Sequence, residues 1–252
     1  MGCLRVASSL ALTLPALGCL AVLVNQSAQA EPRAVIELFT SQGCSSCPAA
    51  DKLIEEYAKD PSVIAVSLAV DYWDYLGWKD TLALNGHSNR QRAYAKSRGD
   101  RQVYTPQAVI DGAVHVLGSD KAAIERAIRQ MRDQSAPLTL AVKIEEAGDK
   151  LTVTVPASKD EKGQAEIWLC PITRSIPVSI GRGENGGRSI TYTNVVRRWI
   201  KLGDWTGKAE TFNVPLKGVQ SGNNIDAAAV MVQSGVASAP KLMIGAAQIA
   251  LK

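Results

Sequence analysis

Apolar residues along this chain change their period near the middle. Up to about residue 135, β-type runs alternate with helical stripes; beyond Pro137 apolar residues recur at every second position. Residues 35–39 predict a strand. Ala50, Leu53, Ile54, Tyr57 and Ala58 then form a stripe at helical spacing, with Asp51, Lys52, Glu55, Glu56 and Lys59 on the side that faces water. Pro61 ends that helix. Residues 63–70 are almost continuously apolar, which suits a strand covered on both faces as in a parallel sheet. An aromatic loop follows at 71–78, and Ser88 is placed to cap a helix running to about Arg98. Two short apolar runs, 107–110 and 114–117, meet at Asp111-Gly112, a hairpin signature. Ser119 is placed to cap a last helix that turns Ala122, Ala123, Ile124, Ala127, Ile128 and Met131 inward.

The second half reads differently. Leu138, Leu140, Val142 and Ile144 alternate with polar residues, Gly148-Asp149 makes a turn, and Leu151, Val153 and Val155 alternate again. Further strands are expected over 165–169, 190–202, 210–214, 227–232 and 244–251. The pattern predicts an α/β domain over 31–135 and an antiparallel, sandwich-like all-β domain over 136–252. No internal repeat, low-complexity tract or heptad pattern stands out.

Residues 1–30 read as an export signal: a weakly basic start with Arg5, an apolar run over 10–24, and Ala28-Gln29-Ala30 as a small-x-small cleavage pattern. The run is too short to span a membrane. Cleavage after Ala30 predicts a periplasmic or secreted protein, tied to the membrane only through the signal. Leu17-Gly18-Cys19 offers lipidation of Cys19 as the second-ranked alternative. The formal net charge of +4 is too small, and the Lys and Arg too dispersed, to imply nucleic acid.

Of the five cysteines, Cys3 and Cys19 leave with the signal, so Cys44, Cys47 and Cys170 remain. An oxidising compartment favours disulfides. Cys170, inside the apolar run Ile167-Trp168-Leu169-Cys170, reads as a buried free thiol. Cys44-Ser45-Ser46-Cys47 stands between a strand and a helix opening at Pro48. The positive end of a helix and its unpaired N–H groups favour a thiolate there. Cys44, the more exposed and nearer the helix end, is expected to attack a substrate disulfide. Cys47, a turn inside the helix, is expected to resolve the mixed disulfide. An inert structural disulfide and a metal-binding pair are the competing readings. His87 and His115 are too scattered to support a metal site, and no metal or cofactor is expected.

The order strand, Cys-x-x-Cys, helix, strand, helix, x-Pro, hairpin, helix over 34–132 resembles the thioredoxin fold. That resemblance implies an α/β thioredoxin-like first domain, with Thr105-Pro106 as a cis-proline element that docks the substrate backbone. It also raises Glu37 as a buried proton-transfer carboxylate. The usual position is occupied by Leu38, however, so Glu37 should face the other side of its strand. Asp71 and Asp74 are the alternatives. Phe39 to Pro48, the Asp71-Tyr72-Trp73-Asp74-Tyr75-Leu76-Gly77-Trp78 segment, Tyr104-Thr105-Pro106-Gln107 and Gly181-Arg182-Gly183-Glu184-Asn185 together resemble an exported bacterial family catalogued as domain of unknown function 1223. The resemblance implies fold and compartment, with no established substrate.

Gly181-Arg182-Gly183-Glu184-Asn185-Gly186 spells G-x-G-x-x-G, but a strand pattern follows where a nucleotide site needs a helix. It is expected to be a loop, from which Arg182, Glu184 and Arg188 are able to reach the first domain. The expected function is an exported thiol-disulfide oxidoreductase acting on protein cysteines or an envelope redox partner. The alternative is a redox-inert or metal-carrying binding module of the cell envelope.

Overall fold

The computed structural model describes residues 1–2, 31–135, 137–159, 163–222 and 224–252. The expected leader, with Cys19 and Ala30, falls outside the described residues.

Strand β1 (Ala34–Thr40) leads through the Cys-x-x-Cys turn to helix α1 (Pro48–Tyr57) and strand β2 (Val63–Ala69). Every residue of both strands is buried, as their near-continuous apolar composition requires. A 3-10 turn at Asp74–Leu76 precedes helix α2 (Asn85–Arg98), then strands β3 (Gln107–Ile110) and β4 (Val114–Leu117) and helix α3 (Lys121–Ser135). β1 lies parallel to β2 and antiparallel to β3, with Ile36 opposite Ile110. α1 and α3 bury Leu53, Ile54, Ile124 and Ile128 against Ile36, Leu38 and Ala108 on one face of these strands. The hairpin after β3 turns at Asp111 (φ 49) and Gly112 (φ 74), two successive positive φ values that Asp-Gly tolerates.

Two capping expectations are corrected. α2 starts at Asn85, and Ser88 lies inside it with its hydroxyl donating to Asp71. At α3 the cap is Asp120 rather than Ser119: Asp120 Oδ1 accepts the Ala123 N–H at 2.9 Å.

The second half carries β5 (Lys143–Ala147), β6 (Lys150–Val155), β7 (Ala165–Ser179), β8 (Ser189–Val196), β9 (Ile200–Trp205), β10 (Glu210–Pro215), β11 (Ala227–Val236) and β12 (Ala239–Ala250). The single run expected over 190–202 is thus two strands. These strands do not form a separate sandwich. Most join the first half in one nine-stranded mixed sheet, ordered β12-β11-β7-β8-β2-β1-β3-β4 with β9 beside β7, while β10-β6-β5 form a three-stranded sheet. The expectation of an α/β thioredoxin-like domain followed by an independent all-β domain is therefore corrected to a large, predominantly β architecture around a continuous sheet. The reason is physical: periodicity identifies strands but carries no information about which edges pair.

The junction is short and stitched by side chains. Ser67 of β2 pairs with Val195 of β8 in parallel. Ser67 Oγ donates to the Thr193 carbonyl at 2.8 Å, and Asn194 Nδ2 donates to the Ala65 carbonyl at 2.9 Å. Beyond it, Cys170, Ile172, Ala229, Met231 and Met243 pack on Val35, Phe39, Ile64, Val66 and Leu68, covering the face of β1 and β2 away from α1. The three-stranded sheet encloses a further core with Ile167, Leu169, Trp205, Val230 and Val232.

Candidate dithiol site

β1 ends at Thr40, and the chain turns sharply: Cys44 N–H donates to the Ser41 carbonyl at 3.1 Å and Gly43 N–H to Ser41 Oγ at 3.1 Å. Cys44 and Cys47 are joined by a disulfide with their Cα atoms 5.4 Å apart. Cys47, expected a turn inside the helix, is instead the N-cap residue of α1, and its carbonyl accepts from Ala50 and Asp51 N–H. Pro48 occupies the first turn, where a missing N–H is harmless.

Burial overturns a second expectation. Cys44 is 1% exposed and Cys47 fully buried, while Ser45 and Ser46 between them face solvent. The tip of the β7–β8 hairpin, which spells G-x-G-x-x-G, is hydrogen-bonded to the turn that holds them. Asn185 Nδ2 donates to the carbonyls of Gln42 (3.0 Å) and Cys44 (2.9 Å), and Ser45 N–H donates to Glu184 Oε2 at 3.2 Å. Arg188 Nη1 donates to Asn185 Oδ1 at 3.0 Å, so Glu184 and Arg188 reach the dithiol turn, directly or through Asn185. The sequence predicts that this loop reaches the first domain but does not single out Asn185 as its central contact.

The aromatic segment braces the turn from another side. A Cβ on Gly43 would meet Trp73 Cβ at 3.1 Å, so glycine permits that close approach. Trp73 Nε1 donates to Thr105 Oγ1 at 2.8 Å, and Trp78 Nε1 donates to Gln42 Oε1 at 2.8 Å. Trp78 also lies against Gly181. Gln42 N–H donates to Asp80 Oδ2 at 2.7 Å. The Thr105-Pro106 bond is cis. Gly118 sits against Leu38 and Pro106, since a Cβ there would meet Leu38 Cδ1 at 2.6 Å and Pro106 Cβ at 3.2 Å. The dithiol turn, the Thr105-Pro106 element and the aromatic segment are therefore brought together.

The carboxylates sort by environment. Glu37 lies on the opposite face of β1, where Arg90 holds it with Nε (2.6 Å) and Nη2 (3.1 Å) and the Tyr94 hydroxyl donates to it. Asp71 accepts from Ser88 and from Asn85 Nδ2 (3.0 Å) in the first turns of α2. Burial opposes its ionisation, but these donors outweigh it and hold its pKa below the ordinary value. Asp74 accepts the Asp80 N–H at 3.0 Å and fixes the 3-10 turn. Each has a structural occupation.

A buried carboxyl group one helical turn after Cys47 is one that the polar pattern places in water. Asp51 is 2% exposed. It lies four residues after Cys47, on the same helical face. Thr40 Oγ1 donates to its Oδ1 at 2.7 Å, while Oδ2 is buried without a partner. Burial pushes its pKa up to about 7, with the Asp80 charge acting in the same sense and the Thr40 bond against it. The spacing from Cys47 is the signal that would have found it. Cys170 is buried and unpaired, and burial raises its thiol pKa. His87 is buried with Nδ1 on the Ala69 carbonyl, and His115 contacts Tyr104 and Asp100. Among the described residues, no three His, Cys, Asp or Glu side chains converge as metal ligands.

The chain belongs to the family described as "Protein of unknown function (DUF1223)", whose model matches residues 35–233. A crystal structure of a protein from Agrobacterium tumefaciens is 32% identical with a TM-score of 0.79, covering 89% of this chain and 97% of that one. HBP35 of Porphyromonas gingivalis shares fold at 14% identity and a TM-score of 0.58, over 88% of this chain and 76% of its own. No curated protein matches the chain.

Proposed function

We propose that this chain is an exported thiol-disulfide oxidoreductase acting on cysteines of other proteins, with Cys44 as nucleophile and Cys47 as resolving thiol. The observation that carries the reading is the closed Cys44–Cys47 pair ahead of α1, with the half-satisfied carboxyl of Asp51 one helical turn behind it.

In the reduced protein, Cys44 thiolate attacks a substrate disulfide, forms a mixed disulfide and expels one substrate thiolate. Asp51 takes the Cys47 proton. Cys47 sulfur then attacks Cys44 sulfur, expels the second substrate thiolate and closes the pair. Two electrons pass from the protein to the substrate. Thr105-Pro106 offers backbone beside the turn to an extended substrate segment, and Trp73 fixes its position through Thr105.

Trapping tests this directly. With Cys47→Ala the second step is removed, so mixed disulfides with envelope proteins should accumulate and disappear on reduction. With dithiothreitol as the electron source, purified mature protein should accelerate the reduction of insulin, and Cys44→Ser should not. Burial of both sulfurs favours a second reading, a redox-inert binding module of the envelope. Equal, negligible acceleration of insulin reduction by the wild type and Cys44→Ser, together with no trapped species, selects it.

A further inference from the structure

Thiol exchange needs a reachable sulfur, yet the pair is buried, and a hairpin tip contributed from the far half of the chain is hydrogen-bonded to the turn that carries it. We propose that residues 181–187 are a redox-dependent latch, closed over the Cys44–Cys47 disulfide and released when the pair is reduced. The proposal rests on the exchange chemistry above and adds its control.

Asn185 is the bolt. It is 1% exposed, although Gly181 to Glu184 and Gly186 to Arg188 on either side of it are exposed. Both protons of its amide are used, on the Gln42 and Cys44 carbonyls, and its oxygen accepts from Arg188. One side chain thus holds the tip to the backbone of the nucleophile itself. A buried amide with this many partners is expensive to withdraw while they stay in place.

Glu184 supplies the redox dependence. Its carboxylate accepts the Ser45 N–H just ahead of α1, where the helix end and free N–H groups favour one negative charge. With the pair oxidised, the sulfurs carry no charge and Glu184 fills that place. A dithiol such as dithiothreitol gives two electrons to the Cys44–Cys47 bond and closes into its own cyclic disulfide. Cys44 is left as thiolate and Cys47 as thiol, and one proton goes to solvent. The Cys44 thiolate then draws on the same helix end and repels Glu184. Buried Asp80, which holds Gln42 N–H, is a further acidic group bonded to the turn, and Arg188 is the cation bonded to the bolt. The sulfur is tethered at the helix; the exposed tip is the part able to leave. Closure after turnover covers the new disulfide, so the device suits a protein reductant whose spent form is shielded from stray thiols.

Hydrogen exchange on the full mature chain tests this. Reduction by dithiothreitol should raise amide exchange across 180–188, and a Cys44→Ser/Cys47→Ser double variant should show no response to the reagent. Oxidised Asn185→Ala should already exchange like the reduced wild type, and its disulfide should be reduced about tenfold faster or more, as expected when a buried hydrogen-bonded bolt is removed. Glu184→Gln, an exposed substitution, should keep the cover and lose most of the redox difference. Equal protection of 180–188 in the two redox states, or equal reduction rates for wild type and Asn185→Ala, overturns the latch. Neither readout uses a protein substrate, so trapped mixed disulfides alongside an unresponsive hairpin would sink the latch alone.

Discussion

Thr40 and Asp51 meet through Oγ1 and Oδ1 at 2.7 Å, one at the end of β1 and the other in the first turn of α1. The contact orients the carboxyl and leaves Oδ2 buried without a partner. An apolar residue at 51 would serve packing as well; a half-satisfied buried acid is the kind of group that serves proton transfer.

Asp51→Asn should therefore slow insulin reduction severalfold while the Cys44–Cys47 disulfide still forms. It should also alter the pH dependence of stability. The folded pKa is raised from 3.8 to about 7, so the native state binds the extra proton between those values. Stability falls as pH rises through that window, by on the order of 4 kcal/mol at most. Asp111, raised by burial to about 6, contributes in the same sense. Urea midpoints at pH 5 and pH 8 should differ less in Asp51→Asn than in the wild type. An unchanged difference would remove Asp51 from the account.

Trp73 links the dithiol turn to the cis-proline element through its bond to Thr105. Trp73→Phe keeps most of the packing and loses that bond, a change of about 1 kcal/mol in stability. Steady-state kinetics should show a larger effect on KM for a protein substrate than on reduction of the disulfide by dithiothreitol. A purely structural tryptophan would leave KM unmoved.

Glu37 is held by Arg90, itself stacked 4.8 Å from the Tyr94 ring centroid and 4.3 Å from that of Trp199. Arg90→Met strands a fully buried carboxylate and should cost about 3–5 kcal/mol. Adding Glu37→Gln should restore much of this, and the double variant should keep its exchange activity. Loss of activity in a folded double variant would return Glu37 to the chemistry.

At the sheet junction, Asn194 combines φ 49 with a bond from Nδ2 to the Ala65 carbonyl. Asn194→Gly tolerates the backbone but loses the bond, whereas Asn194→Ala loses both. Chemical denaturation should rank Asn194→Ala below Asn194→Gly, each about 1–3 kcal/mol below the wild type. The reverse order would mean that backbone conformation does not matter there.

Local pattern made β1, α1, β2 and the Asp111-Gly112 hairpin legible, because each follows from neighbours within a few residues. The pairing of Ser67 with Val195 was not, since no periodicity encodes which exposed edges meet. Polar type alone misled at Asp51, whose helical spacing from Cys47 pointed the other way. The exposure expected of Cys44 failed for a related reason: the turn that holds it is bonded to the β7–β8 tip, outside any local window.

That long-range contact has a consequence for how the protein is made. Asn185 follows Cys44 by 141 residues. At about 5–20 residues per second, a ribosome needs roughly 7–30 s to travel between them. During that interval the turn has the aromatic segment beside it but lacks its bonds from Asn185. The turn is therefore completed by a segment synthesised long after it.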